Sequence, residues 1–91
     1  MEAITRSQAQ ALLEALGGVD NILTIETCFT RLRVEVDQVS LLHLQDIERD
    51  TGCCGAVVRG TEIQLVYGVS AAQVDTILRA VIQKERQKRT L

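Results

Sequence analysis

The sequence contains few of the residues on which nucleic-acid binding and metal binding usually depend. Among its 91 residues only Phe29 and Tyr67 are aromatic, there is a single histidine, and tryptophan is absent. Two aromatic rings offer little for base stacking, and a net charge of −2 does not favour binding to a phosphate backbone. The three cysteines lack the Cys-x-x-Cys spacing of a zinc site. We therefore expect no nucleic-acid partner, no metal and no cofactor.

The chain also lacks a long apolar segment. No run approaches the roughly 18 unbroken apolar residues that a membrane span needs. The first six residues do not form a basic leader followed by an apolar stretch. We expect neither a transmembrane helix nor a secretory signal. The odd number of cysteines fits a reducing cytoplasm better than an oxidising compartment.

Charge is distributed unevenly along the chain. Residues 84–91 hold four cations and one acid, which leaves a net charge of −5 on residues 1–83. A chain of 91 residues can bury one modest hydrophobic core. We therefore predict one domain over residues 1–83, followed by a basic C-terminal tail over residues 84–91.

The first half of the chain predicts a helix and two strands. A capping box that starts at Thr5 begins the helix, and Gly17 ends it. Residues 21–27 alternate between apolar and polar side chains, which predicts a strand with Leu23 and Ile25 on one face. A second alternating run, from residue 30 to residue 36, predicts the partner strand of an antiparallel hairpin.

The second half predicts a short helix, a second hairpin and a long amphipathic helix. The pattern of residues 37–50 predicts a helix that begins at Asp37 or Ser40. Its predicted buried positions are Leu41, Leu44 and Ile47. Strands at 56–58 and 62–67 are joined by a two-residue turn at Gly60-Thr61, and an apolar stripe begins the last helix at residue 71. The fold class is therefore α+β, with order α-β-β-α-β-β-α: a four-stranded antiparallel sheet with three helices on one face.

The most informative stretch runs from Thr27 to Arg33. Cys28 stands directly before a strand whose alternation places Arg31 and Arg33 on one face. The usual fate of a free cysteine is burial as a small hydrophobe, and strand arginines are ordinarily a solvated surface. A thiol at the mouth of a strand, beside two arginines and unpaired turn amides, is instead typical of a reactive thiolate or a phosphoryl site. A cysteine-phosphatase cradle is excluded, because the residue six positions after Cys28 is valine.

Taken with the Leu16-Gly17-Gly18 and Asn21-Ile22 segments, the run Cys28-x-Thr30-Arg31-Leu32-Arg33 resembles the IIB domain of glucose-type sugar phosphotransferase systems. A Gln-x-x-x-Gly pattern at Gln64 agrees with the same family. The resemblance covers most of the chain from residue 16 onward. It departs from the family at Thr27 and in the stretch 50–55, which is one residue longer than expected.

The resemblance implies a phosphocarrier. Cys28 would accept a phosphoryl group from a phosphohistidine of a IIA protein or domain. It would then pass the group to a hydroxyl, usually on C6, of a sugar bound by a membrane IIC permease. Arg31 would steady the phosphocysteine and Arg33 would meet the partner or the sugar phosphate. Thr30 would donate its hydroxyl to a phosphoryl oxygen or would only satisfy the turn.

The resemblance also implies a cytoplasmic protein, held at the inner face of the cell membrane through IIC. Sugar specificity resides largely in IIC. Two other hypotheses stay open on the sequence alone. The chain could be a catalytically silent regulatory module with the same fold, which the unusual Cys53-Cys54 pair motivates. It could also be a thiol-redox protein, with a disulfide between Cys28 and Cys53 or Cys54.

Overall fold

The computed structural model describes residues 4–89, and within them the predicted order of elements is confirmed. The elements are α1 (Arg6–Ala15), β1 (Ile22–Cys28), β2 (Arg31–Val36), α2 (Leu44–Asp50), β3 (Gly55–Arg59), β4 (Glu62–Val66) and α3 (Ala71–Arg89). Residues 1–3 and 90–91, which belong to the predicted domain and tail, lie outside the described residues. Helix α3 continues unbroken past residue 83, and the division of the chain at that residue stays a prediction.

Helix α1 is fixed at both ends by hydrogen bonds that the sequence anticipates. The Thr5 hydroxyl accepts from the Gln8 amide at 3.0 Å, and the Gln8 side chain accepts from the Thr5 amide at 2.8 Å. At the other end, the Gly17 amide donates to the Glu14 carbonyl at 3.0 Å, and Gly17 has a φ of +97°. A Cβ at this position would lie 2.7 Å from the side-chain nitrogen Nδ2 of Asn21, so this helix end requires glycine.

The four strands form one antiparallel sheet in the order β1-β2-β4-β3. Alternate side chains of β2 and β4 are apolar and point toward the helices, as the predicted alternation requires. The fully buried residues of these two central strands are Leu32, Val34, Val36, Ile63 and Leu65. They join one continuous core to which α1, α2 and α3 all contribute. The predicted fold class is confirmed.

Strand β1 differs from the prediction in which residues it buries. The register slips by one residue between Ile22 and Thr24, which leaves Leu23 as the extra residue of a β-bulge. Ile22 and Ile25 are buried, whereas 57% of Leu23 is exposed. The prediction that Leu23 and Ile25 share one face is therefore wrong, because the bulge interrupts the alternation between them.

Helix α2 is shorter than predicted. It begins at Leu44, later than both predicted starts, and Val39–Leu41 form a separate 3₁₀ turn. Of the three positions predicted to be buried, only Ile47 is, whereas Leu41 is 42% and Leu44 is 43% exposed. Seven residues make about two helical turns, so few of them can face the core.

Candidate functional site

The side of the sheet opposite the helices is called the open face here. Cross-strand pairing arranges it in rows, each with one residue from every strand. The first row is Cys28, Arg31, Val66 and Gly55; the second is Glu26, Arg33, Gln64 and Val57; the third is Thr24, Glu35, Glu62 and Arg59. The two predicted arginines therefore lie on the open face together with Cys28.

Cys28 is the last residue of β1, and its thiol is exposed. Arg31 is its direct partner across the antiparallel pair, so the two side chains leave the sheet side by side. Only Phe29 and Thr30 separate them along the chain. The two-residue turn thus brings the predicted nucleophile and the first predicted arginine together.

The turn after Cys28 has an unusual backbone. Phe29 has a φ of +54° and is the one non-glycine residue among residues 4–89 with a positive φ. Its ring is 93% exposed, so the conformation is not offset by burial of the ring. A bulky residue in this region is strained.

Thr30 anchors the turn through its backbone. Its carbonyl accepts hydrogen bonds from the amides of Tyr67 at 3.0 Å and Gly68 at 3.1 Å, just beyond the end of β4. No backbone hydrogen bond within residues 4–89 uses the amide N–H of Phe29 or of Thr30. These two donors therefore remain available beside the thiol, as a phosphoryl-binding turn requires.

Arg31 keeps most of its donors free. One guanidinium nitrogen, Nη1, donates to Gln64 Oε1 at 2.8 Å. Within the described residues Arg31 makes no ion pair with an acid. A guanidinium has five N–H donors. Arg31 can therefore bind an anion at Cys28 while its hydrogen bond to Gln64 is kept.

Arg33 is in a different state, because an acid already binds it. Its Nε and Nη2 donate to Glu62 Oε2 at 3.2 and 2.9 Å. This hydrogen bonding and the charge of Glu62 raise the pKa of Arg33, with smaller contributions from the charges of Glu26 and Cys28. Hydrogen bonds in turn lower the pKa of Glu62, with the largest contribution from Arg33 and the second largest from Gln64. The two predicted arginines are thus distinct: one is free of acids and one is paired.

Sequence reasoning assigned no role to Glu62, and it missed a polar network beside β1. The Thr27 hydroxyl donates to Asp75 Oδ2 of α3 at 2.6 Å. Arg79 binds the same carboxylate and also the Ile25 carbonyl. The parity of β4 was a signal for Glu62, since it places that residue on the same face as Gln64. The network to α3 has no signal in local periodicity.

The other two cysteines lie far from Cys28. Cys54 directly precedes β3, which is separated from β1 by both central strands. Three strand spacings amount to about 14 Å, whereas the Cα atoms of a disulfide lie within about 7 Å of each other. The Cys53 thiol donates to the Ile47 carbonyl at 3.4 Å. This geometry contradicts the disulfide hypothesis.

Two further findings concern the described residues as a whole. Residues 4–89 contain no group of three His, Cys, Asp or Glu side chains arranged to hold a metal ion. No helix in the same range combines the length and the apolar character that crossing a bilayer demands.

Known proteins resemble this chain in both sequence and fold. A family model described as "phosphotransferase system, EIIB" matches residues 10–42. The N-acetylglucosamine-specific EIIB component of Streptomyces coelicolor is 43% identical over 65 residues, which cover 71% of this chain and 83% of that protein. One domain of a phosphotransferase-system IIabc component from Clostridium difficile has a TM-score of 0.67 at 26% identity, covering 85% of this chain and 77% of that one.

Longer relatives match as well. The alpha-glucoside-specific EIICB component of Klebsiella pneumoniae is 40% identical over 67 residues, which cover 74% of this chain. The match spans only 12% of that protein. One conclusion follows from three findings: the match covers four fifths of the Streptomyces protein, the family model matches, and the fold is shared. The chain belongs to the EIIB family of the phosphotransferase system.

Proposed function

We propose that this chain is the phosphocarrier of a sugar phosphotransferase system and that Cys28 carries the phosphoryl group. One observation supports this most strongly: the exposed Cys28 thiol lies directly opposite Arg31, whose guanidinium is unpaired with any acid of residues 4–89. A nucleophile beside a free cation and two unpaired amides suits the transfer of a dianionic group.

In the first step, the Cys28 thiolate attacks the phosphorus of a phosphohistidine on a IIA partner. The S–P bond forms as the N–P bond breaks, and the imidazole nitrogen keeps the electron pair. The transition state is loose and spreads charge over the three equatorial oxygens. Arg31 and the amides of Phe29 and Thr30 are placed to stabilise that charge, and the Thr30 hydroxyl can add a fourth donor.

In the second step, a sugar hydroxyl attacks the same phosphorus. The O–P bond forms, the S–P bond breaks, and sulfur leaves as a thiolate. The hydroxyl proton passes to a base on the acceptor side or to water. Because the acceptor arrives from outside this domain, its site must be completed by a IIC membrane protein. The names of the relatives, which act on N-acetylglucosamine and alpha-glucosides, indicate a hexose or a hexose-containing sugar as acceptor.

The surroundings of Cys28 suit transient docking of such partners. Phe29 is 93% and Val69 is 99% exposed, and Val69 follows Gly68, whose amide binds the Thr30 carbonyl. Two exposed apolar side chains near the thiol can exclude water once a partner covers them. In this proposal a IIA protein docks here first and IIC second, and the chain acts at the cytoplasmic face of the membrane.

Intact-mass analysis tests the proposal. The chain is incubated at neutral pH with phosphoenolpyruvate, the general phosphotransferase proteins and a IIA shown to be active. We expect a gain of roughly 80 Da, the mass of one phosphoryl group. Cys28→Ser should lose the gain, whereas the matched Cys54→Ser should keep it, because Cys54 is exposed but lies at the other edge of the sheet.

The same experiment decides between this proposal and the silent regulatory module. A wild-type chain that gains no mass, yet binds IIA as tightly as Cys28→Ser does, would support the regulatory module. A gain that survives in Cys28→Ser would move the phosphoryl site elsewhere.

A further inference from the structure

On the open face Arg33 lies directly opposite Glu26 of β1 and has the Glu62 carboxylate and the Cys28 thiol as diagonal neighbours on its two sides. Its direct partner on β4 is Gln64, so Glu62 is one of its diagonal neighbours. On the other side, Cys28 of β1 is diagonal to Arg33. The direct partner of Cys28 is Arg31, and the direct partner of Arg33 on β1 is Glu26. Diagonal cross-strand neighbours are about 7–8 Å apart, within reach of a long side chain. The arginine can therefore bind either group by rotating its side chain.

From this juxtaposition we infer that Glu62 is a positioning residue that withholds Arg33 from Cys28 until Cys28 carries an anion. Arg33 then moves from the Glu62 carboxylate to the phosphoryl group, while Arg31 stays beside Cys28 throughout. The inference rests on the proposed function and gives the two arginines separate tasks. Arg31 serves the empty and the loaded thiol, and Arg33 serves the loaded thiol alone.

The charges favour such an exchange. A phosphoryl group carries about −1.5 to −2 charges near neutral pH, whereas a carboxylate carries one, so the loaded cysteine attracts a guanidinium more strongly. The Arg33 side chain is 41% exposed and that of Glu62 is 24% exposed. The pair is therefore solvated enough to open, and a solvated ion pair contributes little stability.

Gln64 lowers the cost of the exchange. Its amide nitrogen donates to Glu62 Oε1 at 2.8 Å, and its carbonyl oxygen accepts from Arg31. When Arg33 leaves, Glu62 keeps this donor and is not left without a partner. Arg31 also stays oriented, since its bond to Gln64 does not depend on Arg33.

A first test needs no phosphotransfer partner. In a Cys53→Ala/Cys54→Ser variant, Cys28 is modified with one of two methanethiosulfonate reagents, a sulfonatoethyl or a methyl compound. The thiolate attacks the divalent sulfur, an S–S bond forms, and methanesulfinate leaves. The Glu62 carboxyl is then titrated by NMR. A sulfonate carries one negative charge, as the Glu62 carboxylate does, so the two should share Arg33. We therefore expect the sulfonate to raise the pKa of Glu62 part of the way toward its ordinary value, and the methyl group to leave that pKa unchanged.

The same titration in an Arg33→Gln background separates the exchange from simple repulsion between two anions. In that background the sulfonate can act on Glu62 only through its charge. The rise in the Glu62 pKa should therefore be clearly smaller than the rise with Arg33 present. Equal rises with and without Arg33, or no rise at all, would overturn the inference. The ion pair would then be an ordinary cross-strand contact.

A second test uses the phosphorylated protein. Glu62→Gln should shift the phosphoryl equilibrium with IIA toward phosphocysteine by roughly two- to fivefold, since an exposed ion pair no longer competes for Arg33. Glu35→Gln is the matched control. Glu35 is the direct partner of Glu62, in the same row of the open face, but it binds Thr61 and not Arg33.

Equal shifts in Glu62→Gln and Glu35→Gln would refute the inference while leaving the phosphocarrier function intact. Absence of any phosphorylation in the wild type would refute the proposed function instead. The sulfonate titration would still decide the arginine exchange.

Discussion

The two hairpins of the sheet turn in the same number of residues but use different residues to do so. Phe29 and Thr30 link β1 to β2, and Gly60 and Thr61 link β3 to β4. The first turn residue has a φ of +54° in one hairpin and +60° in the other. Glycine adopts this conformation without steric cost, whereas phenylalanine does not. Strain is therefore present in the turn next to Cys28 and absent from the other.

The comparison shows where the fold departs from the most stable choice of residues. Both turns are tied down at the second residue: the Thr30 carbonyl accepts from two amides, and the Thr61 carbonyl accepts from the Val36 amide. The fold thus holds both hairpins, but only the first gives up local stability. Strained, exposed backbone in loops with unpaired donors is a recurring property of binding sites.

The largest expected difference between the two hairpins concerns the arginine that borders each turn. Arg31→Gln removes the free guanidinium opposite Cys28, so phosphoryl transfer from Cys28 to sugar should slow by about 10²–10³, the effect of losing one transition-state donor. Arg59→Gln removes the arginine before the second turn and should change the rate by less than about threefold, since a surface charge in the third row acts only at long range. The measurement is the transfer rate from phosphorylated chain to sugar with IIC membranes. Equal losses in the two variants would mean that net charge, and not the position of Arg31, drives transfer.

A smaller effect should follow from weakening the residue that anchors the first turn. Tyr67 binds the Thr30 carbonyl through its amide, and its buried hydroxyl donates to the Thr51 carbonyl at 3.0 Å. Burial raises the pKa of this hydroxyl from 10.0 to about 12. The folded protein therefore favours the neutral phenol, and this part of its stability is complete below pH 10 and is lost as the pH rises toward 12.

Tyr67→Phe is accordingly expected to lower the free energy of unfolding by about 1 kcal/mol at pH 7. The variant should also lose less stability than the wild type between pH 10 and pH 12. Urea unfolding curves at pH 7, 10 and 11.5 measure both effects. Parallel losses in the two proteins above pH 10 would show that another group controls the alkaline transition.

Much of this fold could be predicted from the sequence, for a physical reason. Strands β2 and β4 bury one face completely, so their alternation of apolar and polar residues is strict and fixes the orientation of Arg31 and Arg33. The adjacency of Cys28 and Arg31 also follows from the two-residue turn between them. Both features depend only on residues close together in the chain.

The errors occurred where local pattern does not determine structure. Leu23 and Ile25 alternate as a regular strand does, and the bulge that separates them depends on the pairing with β2. The pairing of Arg33 with Glu62 depends on the placement of β4 beside β2, a long-range choice that periodicity leaves open. The assignment of catalytic roles to Cys28, Thr30, Arg31 and Arg33 stays a prediction.

The smallest expected effect tests the two turns directly by exchanging their first residues. Phe29→Gly relieves a left-handed strain of about 1–2 kcal/mol but adds freedom to the unfolded chain, so a net stabilisation of about 0.5–1 kcal/mol is expected. Gly60→Phe should destabilise by a similar amount for the converse reason, since open space surrounds Gly60 and no clash adds to the strain. Urea unfolding at neutral pH measures both changes. If Phe29→Gly instead destabilises the protein, the exposed ring must stabilise the fold through contacts, and strain at Cys28 would no longer distinguish the two hairpins.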